Sequence, residues 1–170
     1  DHRDLHSFPT RRSSDLRGYT IPTIDLAKQT HRQVIVDREK GQYLGHPTTV
    51  LLEDNKTMLI VYPKGHGRGG IVYKRSTDGG RTWGERLPTP KSWKTSKEVP
   101  TIHRVIDAKG KKRLIMWSGL YPARLAFSEN EGDDWSELKQ VGDWGGIVVM
   151  GCLEKRSEER RVGKECRSRW

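Results

Sequence analysis

Two octets, 52 residues apart, constrain this chain more than any other feature. The first is Ser76-Thr77-Asp78-Gly79-Gly80-Arg81-Thr82-Trp83, and the second is Ser128-Glu129-Asn130-Glu131-Gly132-Asp133-Asp134-Trp135. The first reads Ser-x-Asp-x-Gly-x-Thr-Trp, a pattern suited to a tight turn between two strands. Asp78 can accept backbone N–H bonds as an Asx-turn, and Gly79 and Gly80 supply positive φ without a steric penalty. Thr82 and Trp83 open the following strand, where the indole can pack on a sheet face. The second octet is a degenerate copy, with Asn130 in place of the Asp and Asp134 in place of the Thr.

The sequence around the octets repeats as well. Apolar runs at 48–53, 57–62 and 71–76 read as three strands, separated by the turn Asp54-Asn55-Lys56 and by a glycine-rich loop over 63–70. A short fourth strand is expected from Thr82. Pro47-Thr48 recurs as Pro100-Thr101, and Leu59-Ile60-Val61-Tyr62 recurs as Leu114-Ile115-Met116-Trp117. A third unit is expected to open at Gly145-Gly146-Ile147-Val148-Val149. Ahead of the repeats, Gln33-Val34-Ile35-Val36 reads as a short strand and 37–42 as a polar turn. A period near fifty residues with four short strands per unit is the signature of propeller blades, which close in rings of about 4–8.

Both ends look foreign to this pattern. Residues 156–170 resemble a translated sequencing-library adaptor, and residues 1–16 resemble the same adaptor read from the opposite strand. Arg156-Ser157-Glu158-Glu159 can be encoded AGA TCG GAA GAG. The reverse complement, moved one base along, encodes Ser-Ser-Asp-Leu, which is Ser13-Ser14-Asp15-Leu16. Such segments are set aside in reasoning about a fold. The expected organisation is therefore 1–16 and 156–170 adaptor-derived, 17–43 an N-terminal segment with the first strand, and 44–155 the repeats. Residues 1–16 carry three Arg and three Asp, and 156–170 carry six Lys and Arg against three Glu. The formal +10 of the whole chain thus becomes +7 over 17–155. Without Cys166 a single cysteine, Cys152, remains, which allows no internal disulfide and leaves the redox compartment open. No apolar run approaches the roughly 18 residues of a membrane helix. Nucleic-acid binding is not expected, because the basic charge forms no helix and the aromatics fall on octet and core positions rather than an exposed stacking row.

The octet resembles the Asp-box of the sialidase (neuraminidase) superfamily, and residues 31–155 as a whole resemble bacterial sialidase-family, exo-α-sialidase-like proteins. The resemblance implies an all-β fold: a fragment of a sialidase-type β-propeller, with about two four-stranded blades and the start of a third. It makes Ser76, Asp78, Gly80, Thr82, Trp83, Ser128, Asn130, Gly132 and Trp135 structural turn residues. It implies a glycoside hydrolase that removes a terminal acidic sugar from a glycan or oligosaccharide, without cofactor or metal, in a periplasmic or secreted setting. True sialidases open the first full blade with Phe/Tyr-Arg-Ile-Pro, whose Arg grips the substrate carboxylate. Here the aligned stretch is Leu44-Gly45-His46-Pro47, and the Arg is absent.

Alternation of the connections in a four-stranded blade puts the octet turns at one end and the functional loops at the other. The resemblance likewise puts catalysis at the end away from the Asp-boxes. This selects Gly45, His46, His66 and Arg68 from the first unit, Lys97, Glu98, Tyr121 and Arg124 from the second, and Asp143 and Trp144 from the third. Imidazoles and a carboxylate can move protons at a glycosidic oxygen, so His46, His66 and Glu98 are the catalytic candidates. Arg68 and Arg124 can fork onto a carboxylate, while Tyr121, Asp143 and Trp144 can stack on or bond to sugar, so these five are the substrate-binding candidates. The alternative is a non-catalytic Asp-box propeller that binds glycan or protein. His103 and Arg104 fall inside a strand and away from the mouth.

Overall fold

The runs of β-branched and aromatic residues become strands, and almost nothing else in the described chain is regular. The computed structural model describes residues 22–66, 69–146 and 153. One antiparallel sheet contains β1 (Thr48–Leu51), β2 (Met58–Pro63) and β3 (Ile71–Ser76), in that order. A second contains β4 (Pro100–Ile106), β5 (Lys112–Ser118), β6 (Arg124–Ser128) and β7 (Lys139–Gln140). The chain divides into residues 1–33 and residues 34–170. Within residues 1–33 a 3-10 turn at Thr30–Arg32 is closed by the Gln33 side chain, which donates to the Leu26 carbonyl at 2.7 Å. Both sheets belong to residues 34–170. No helix among the described residues is long and apolar enough to cross a membrane.

Three expectations from the sequence need correction. The fourth strand after Thr82 is not a full ladder. The chain runs beside β3 and donates from Gly84 to Arg75 (3.0 Å) and from Leu87 to Tyr73 (2.8 Å). Pro88 and Pro90 then remove the donors that would extend it. In the second unit, where Gln140 and Gly142 stand at those positions, the equivalent segment forms β7. The run at 33–36 is not a strand either. Val36 packs on a sheet face and its carbonyl accepts from the Lys74 ammonium, so no ladder is made there. The third correction is one of register. Met58 pairs with Ser76, and Leu114 pairs with Ser128. The structural counterpart of Leu114 is therefore Met58, one residue before the Leu59 suggested by matching letters. A shift of one residue exchanges the two faces of a strand.

The corrected register shows how the sheets stack. The face of the first sheet bearing Leu59, Val61, Ile71 and Tyr73 packs on the face of the second bearing Ile102, Leu114, Met116 and Ala126. The latter face corresponds to the Met58, Ile60 and Val72 side of the first sheet. The stacking is thus head to tail, one side of a unit on the opposite side of the next. Trp93, on a 3-10 turn at Lys91–Thr95, is fully buried between them, with ring centroids 6.1 Å from Tyr73 and 5.4 Å from Trp135. The remaining side of the first sheet is covered by Val36, Leu44 and Trp83. The remaining side of the second, with Ile115, Trp117, Leu125 and Phe127, is only partly buried.

The two octets form the same turn. Gly80 and Gly132 each donate to the hydroxyl of the first serine at 2.9 Å. Thr82 and Asp134 each donate their backbone N–H to the third side chain at 2.9 Å. The turn at 128–135 also docks the sheets. Gly132 has φ +87, its carbonyl accepts from the Tyr73 hydroxyl at 2.8 Å, and a Cβ there would stand 2.4 Å from that oxygen. Arg75 completes the junction with a 2.6 Å ion pair to Asp133. The expected start of a third unit runs into residues 147–152, which lie outside the described ones, as do both adaptor-like ends.

Candidate functional site

Register puts the β2–β3 loop at the opposite end of its sheet from the octet. Ser76 faces Met58 at one end and Ile71 faces Pro63 at the other. The β5–β6 loop is placed in the same way in the second sheet. Nine residues separate Tyr62 from its ladder partner Val72, but only five separate the equivalent pair Ser118 and Arg124. The first unit therefore carries an enlarged, glycine-rich loop at this end, and His66 is part of it. Backbone closure from Lys64 to the Gly70 carbonyl at 2.9 Å pins the loop's base. Gly69, at φ +119, lies so close that a Cβ would come within 2.4 Å of the Lys64 carbonyl.

Here His46 and His66 meet. Their ring centroids are 4.8 Å apart in an edge-to-face arrangement, and Tyr43 lies 5.5 Å from His66 and 6.3 Å from His46. His46 holds φ +51, a costly conformation for a residue with a Cβ. Gly45 lets the Tyr43 ring fold back over the backbone, since a Cβ would fall 2.4 Å from the ring. Next to the imidazoles opens a cleft of about 920 Å³, lined by Lys64, Gly65, His66, Gly69, Ser96, Lys97 and Leu120. Both sheets contribute to it. Lys64 is paired with Glu39 at 2.9 Å, and Glu39 also accepts from Arg86 at 2.6 Å. Lys97 donates to the Tyr121 carbonyl at 3.3 Å, which leaves two of its three donors unused by that bond.

Comparison with protein-family models, curated proteins and solved structures returned no match.

The other sequence candidates are distributed as follows. Glu98 does not line the cleft. It is buried, and its carboxylate accepts from the Val99 N–H at 2.8 Å. Arg124 reaches back across the sheet end, donating to the Thr95 hydroxyl at 2.9 Å and the Thr95 carbonyl at 2.8 Å. Burial lowers the pKa of its guanidinium from the ordinary value. Tyr121 donates to the Asp143 carboxylate, and that bond, with some desolvation, raises the phenol pKa. Trp144 lies 5.8 Å from Trp117 and turns its N–H onto the Val141 carbonyl at 2.9 Å. Arg68 lies outside the described residues. Among the described residues no cluster of three or more metal-ligating side chains occurs.

The geometry brings together His46 and His66, and brings His66 to Lys97 across the cleft. Sequence reasoning missed Tyr43, Lys64 and Ser96. For Tyr43 the available signal was Gly45, a glycine two positions on that permits an aromatic ring to lie over the chain. Lys64 and Ser96 carried no signal beyond their loop positions. Cationic groups around an open cleft, with an imidazole pair at its rim, suit an anionic ligand and proton transfer to or from it.

Proposed function

We propose that this chain is part of a sialidase-type β-propeller glycoside hydrolase, exo-acting on a terminal acidic sugar of a glycan. The observation that carries the activity is the His46–His66 pair beside a cleft lined by Lys64 and Lys97, at the end of the sheets away from the octet turns. Lys64 and Lys97 would attract the sugar's carboxylate, and an imidazole would exchange a proton with the glycosidic oxygen. The propeller part of the reading is supported by the head-to-tail stacking. It is an open-ended interface, and repeating it generates a ring if the rotation closes. With the Arg of the Phe/Tyr-Arg-Ile-Pro motif absent, the carboxylate grip would fall to the lysines.

A chain carrying the further blades should hydrolyse sialyl conjugates or p-nitrophenyl glycosides of acidic sugars. His66→Ala should lower kcat by about 100-fold or more with circular dichroism unchanged. Unchanged turnover would remove His66 from the chemistry. A second reading, a non-catalytic glycan-binding propeller, is favoured by one feature: the described lining of the cleft includes no carboxylate, Glu98 being turned onto Val99. Saturable binding of an acidic glycan without turnover would select it.

A further inference from the structure

Thr48 and Thr101 hold the same place in successive sheets. Thr48 stands opposite Val61 and Thr101 opposite Trp117. Val61 and Trp117 are counterparts in the corrected register, in which Met58 and Leu114 pair with the octet serines. The Thr48 hydroxyl crosses to the second sheet, where it donates to the Pro100 carbonyl at 3.1 Å and accepts from the Ile102 N–H at 3.2 Å. One side chain thus takes the two backbone groups that flank Thr101, and bolts the first strand of one repeat to the first strand of the next. Thr101 has the same chemistry without the bonds. It is 1% exposed, and its hydroxyl has no hydrogen-bond partner among the described residues. The indole N–H of Trp117, across the ladder from it, is likewise buried without a partner among them. Buried polar groups left unsatisfied are costly and call for a partner.

We propose that the Thr101 hydroxyl is the docking point for the backbone of the first strand of a further repeat. That strand gives it a carbonyl and an N–H as Pro100 and Ile102 give theirs to Thr48. The inference rests on the repeat-stacking reading of the fold, and it names the contact that sets one repeat against the next. Apolar stacking is non-directional and leaves the height of neighbouring strands loose. A hydroxyl that donates to one residue and accepts from the residue two further on fixes that height in steps of two residues. The course of the chain favours a further repeat as the occupant. The connector into β4 crosses the β2–β3 loop closely, with the Lys94 Cα 3.6 Å from where a Gly70 Cβ would stand. The connector leaving the second sheet crosses the β5–β6 loop in the same way, a Cβ at Gly145 falling 2.8 Å from the Tyr121 Cα.

The test compares Thr48→Val and Thr101→Val in the 170-residue chain and in a chain lengthened by one more unit, read by urea titration and amide hydrogen exchange. In the 170-residue chain Thr48→Val should lower the folding equilibrium constant about tenfold or more and speed exchange at the Ile102 amide. Thr48→Ser, which keeps the hydroxyl, should leave that amide protected. Thr101→Val removes a hydroxyl that bonds nothing, so the constant should stay the same or rise. In the lengthened chain Thr101→Val should lower it about tenfold. Should Thr48→Val fail to fold, Thr101→Val at the two chain lengths carries the test alone. Equal losses for the two variants in the 170-residue chain overturn the proposal, and so does a harmless Thr101→Val in the lengthened one. The two readings fail separately. If lengthening raises the penalty of Ile115→Ala but not that of Thr101→Val, the repeats stack and the hydroxyl contact falls. If it raises neither, the stacking falls and takes the contact with it.

Discussion

The second octet keeps the hydrogen bond of the first by reversing it. In residues 76–83 the Thr82 hydroxyl donates to the Asp78 carboxylate at 2.6 Å. In residues 128–135 the Asn130 amide donates to the Asp134 carboxylate at 2.9 Å. Asp becomes Asn and Thr becomes Asp, so donor and acceptor exchange places and the turn is preserved. At Asp78, the Thr82 hydroxyl and N–H and the Ser76 hydroxyl hold the carboxyl down at about 2, in keeping with an acceptor-only group. Asn130→Asp alone would set two carboxylates against each other and remove the donor, at a cost of about 1–2 kcal/mol. Asn130→Asp with Asp134→Thr recreates the first octet and should recover most of that loss. Urea midpoints of the two single variants and the double variant measure the coupling. A value under about 0.5 kcal/mol would mean that the side-chain bond adds nothing to the turn. Letter matching makes this octet look degenerate because letters do not carry the sense of a hydrogen bond. The underlying chemistry was in the sequence all along.

At the level of strands, the apolar runs were legible and their pairing was not. The residues expected for β3 agree with the observed Ile71–Ser76. The ladder beyond Leu87 failed where two prolines had no N–H to give, a signal visible in the sequence. The run at 33–36 failed for a reason no local pattern carries: Val36 packs on a sheet face instead of pairing along an edge. Side chains hold it there. The Tyr62 hydroxyl donates to Asp37, Arg86 bonds Asp37 at 2.7 Å, and Lys74 bonds the Val36 carbonyl. Burial alone would raise the Asp37 pKa, but the hydrogen bonds from Arg86 and Tyr62 outweigh it and bring it from 3.8 to about 2. A carboxyl with a lower pKa in the folded state stabilises that state fully above its unfolded pKa. The contribution of Asp37 is therefore complete above about pH 4 and drains away as pH falls toward 2. Asp37→Asn should be less stable than the parent at pH 6, and the gap should shrink steadily between pH 4 and pH 2. Urea midpoints across that window would show it, and a gap constant with pH would mean that the ionised Asp37 carboxylate does not hold this segment on the sheet.

Across the whole molecule, the all-β class and the repeat were readable from spacing, whereas the order of the faces needed the register. That order assigns different energies to equivalent residues. Leu59 and its counterpart Ile115 occupy the same place in successive sheets. Leu59 is fully buried because the second sheet covers it, and Ile115 is only partly buried because the described residues put no sheet on its side. The cost of truncating a side chain follows the cover that it loses and the cavity that it leaves. Leu59→Ala should therefore cost about 2–5 kcal/mol in this chain, while Ile115→Ala should cost less than about 1.5 kcal/mol. If the stacking repeats, a chain lengthened by one more unit should raise the Ile115→Ala penalty into the Leu59 range and leave the Leu59→Ala penalty where it was. Denaturant titration of the four variants, with equal m-values within each chain length, decides the matter. Equal penalties in the present chain would mean that the Ile115 face is already closed, and the head-to-tail order would then describe a finished two-sheet sandwich instead of a section of a ring.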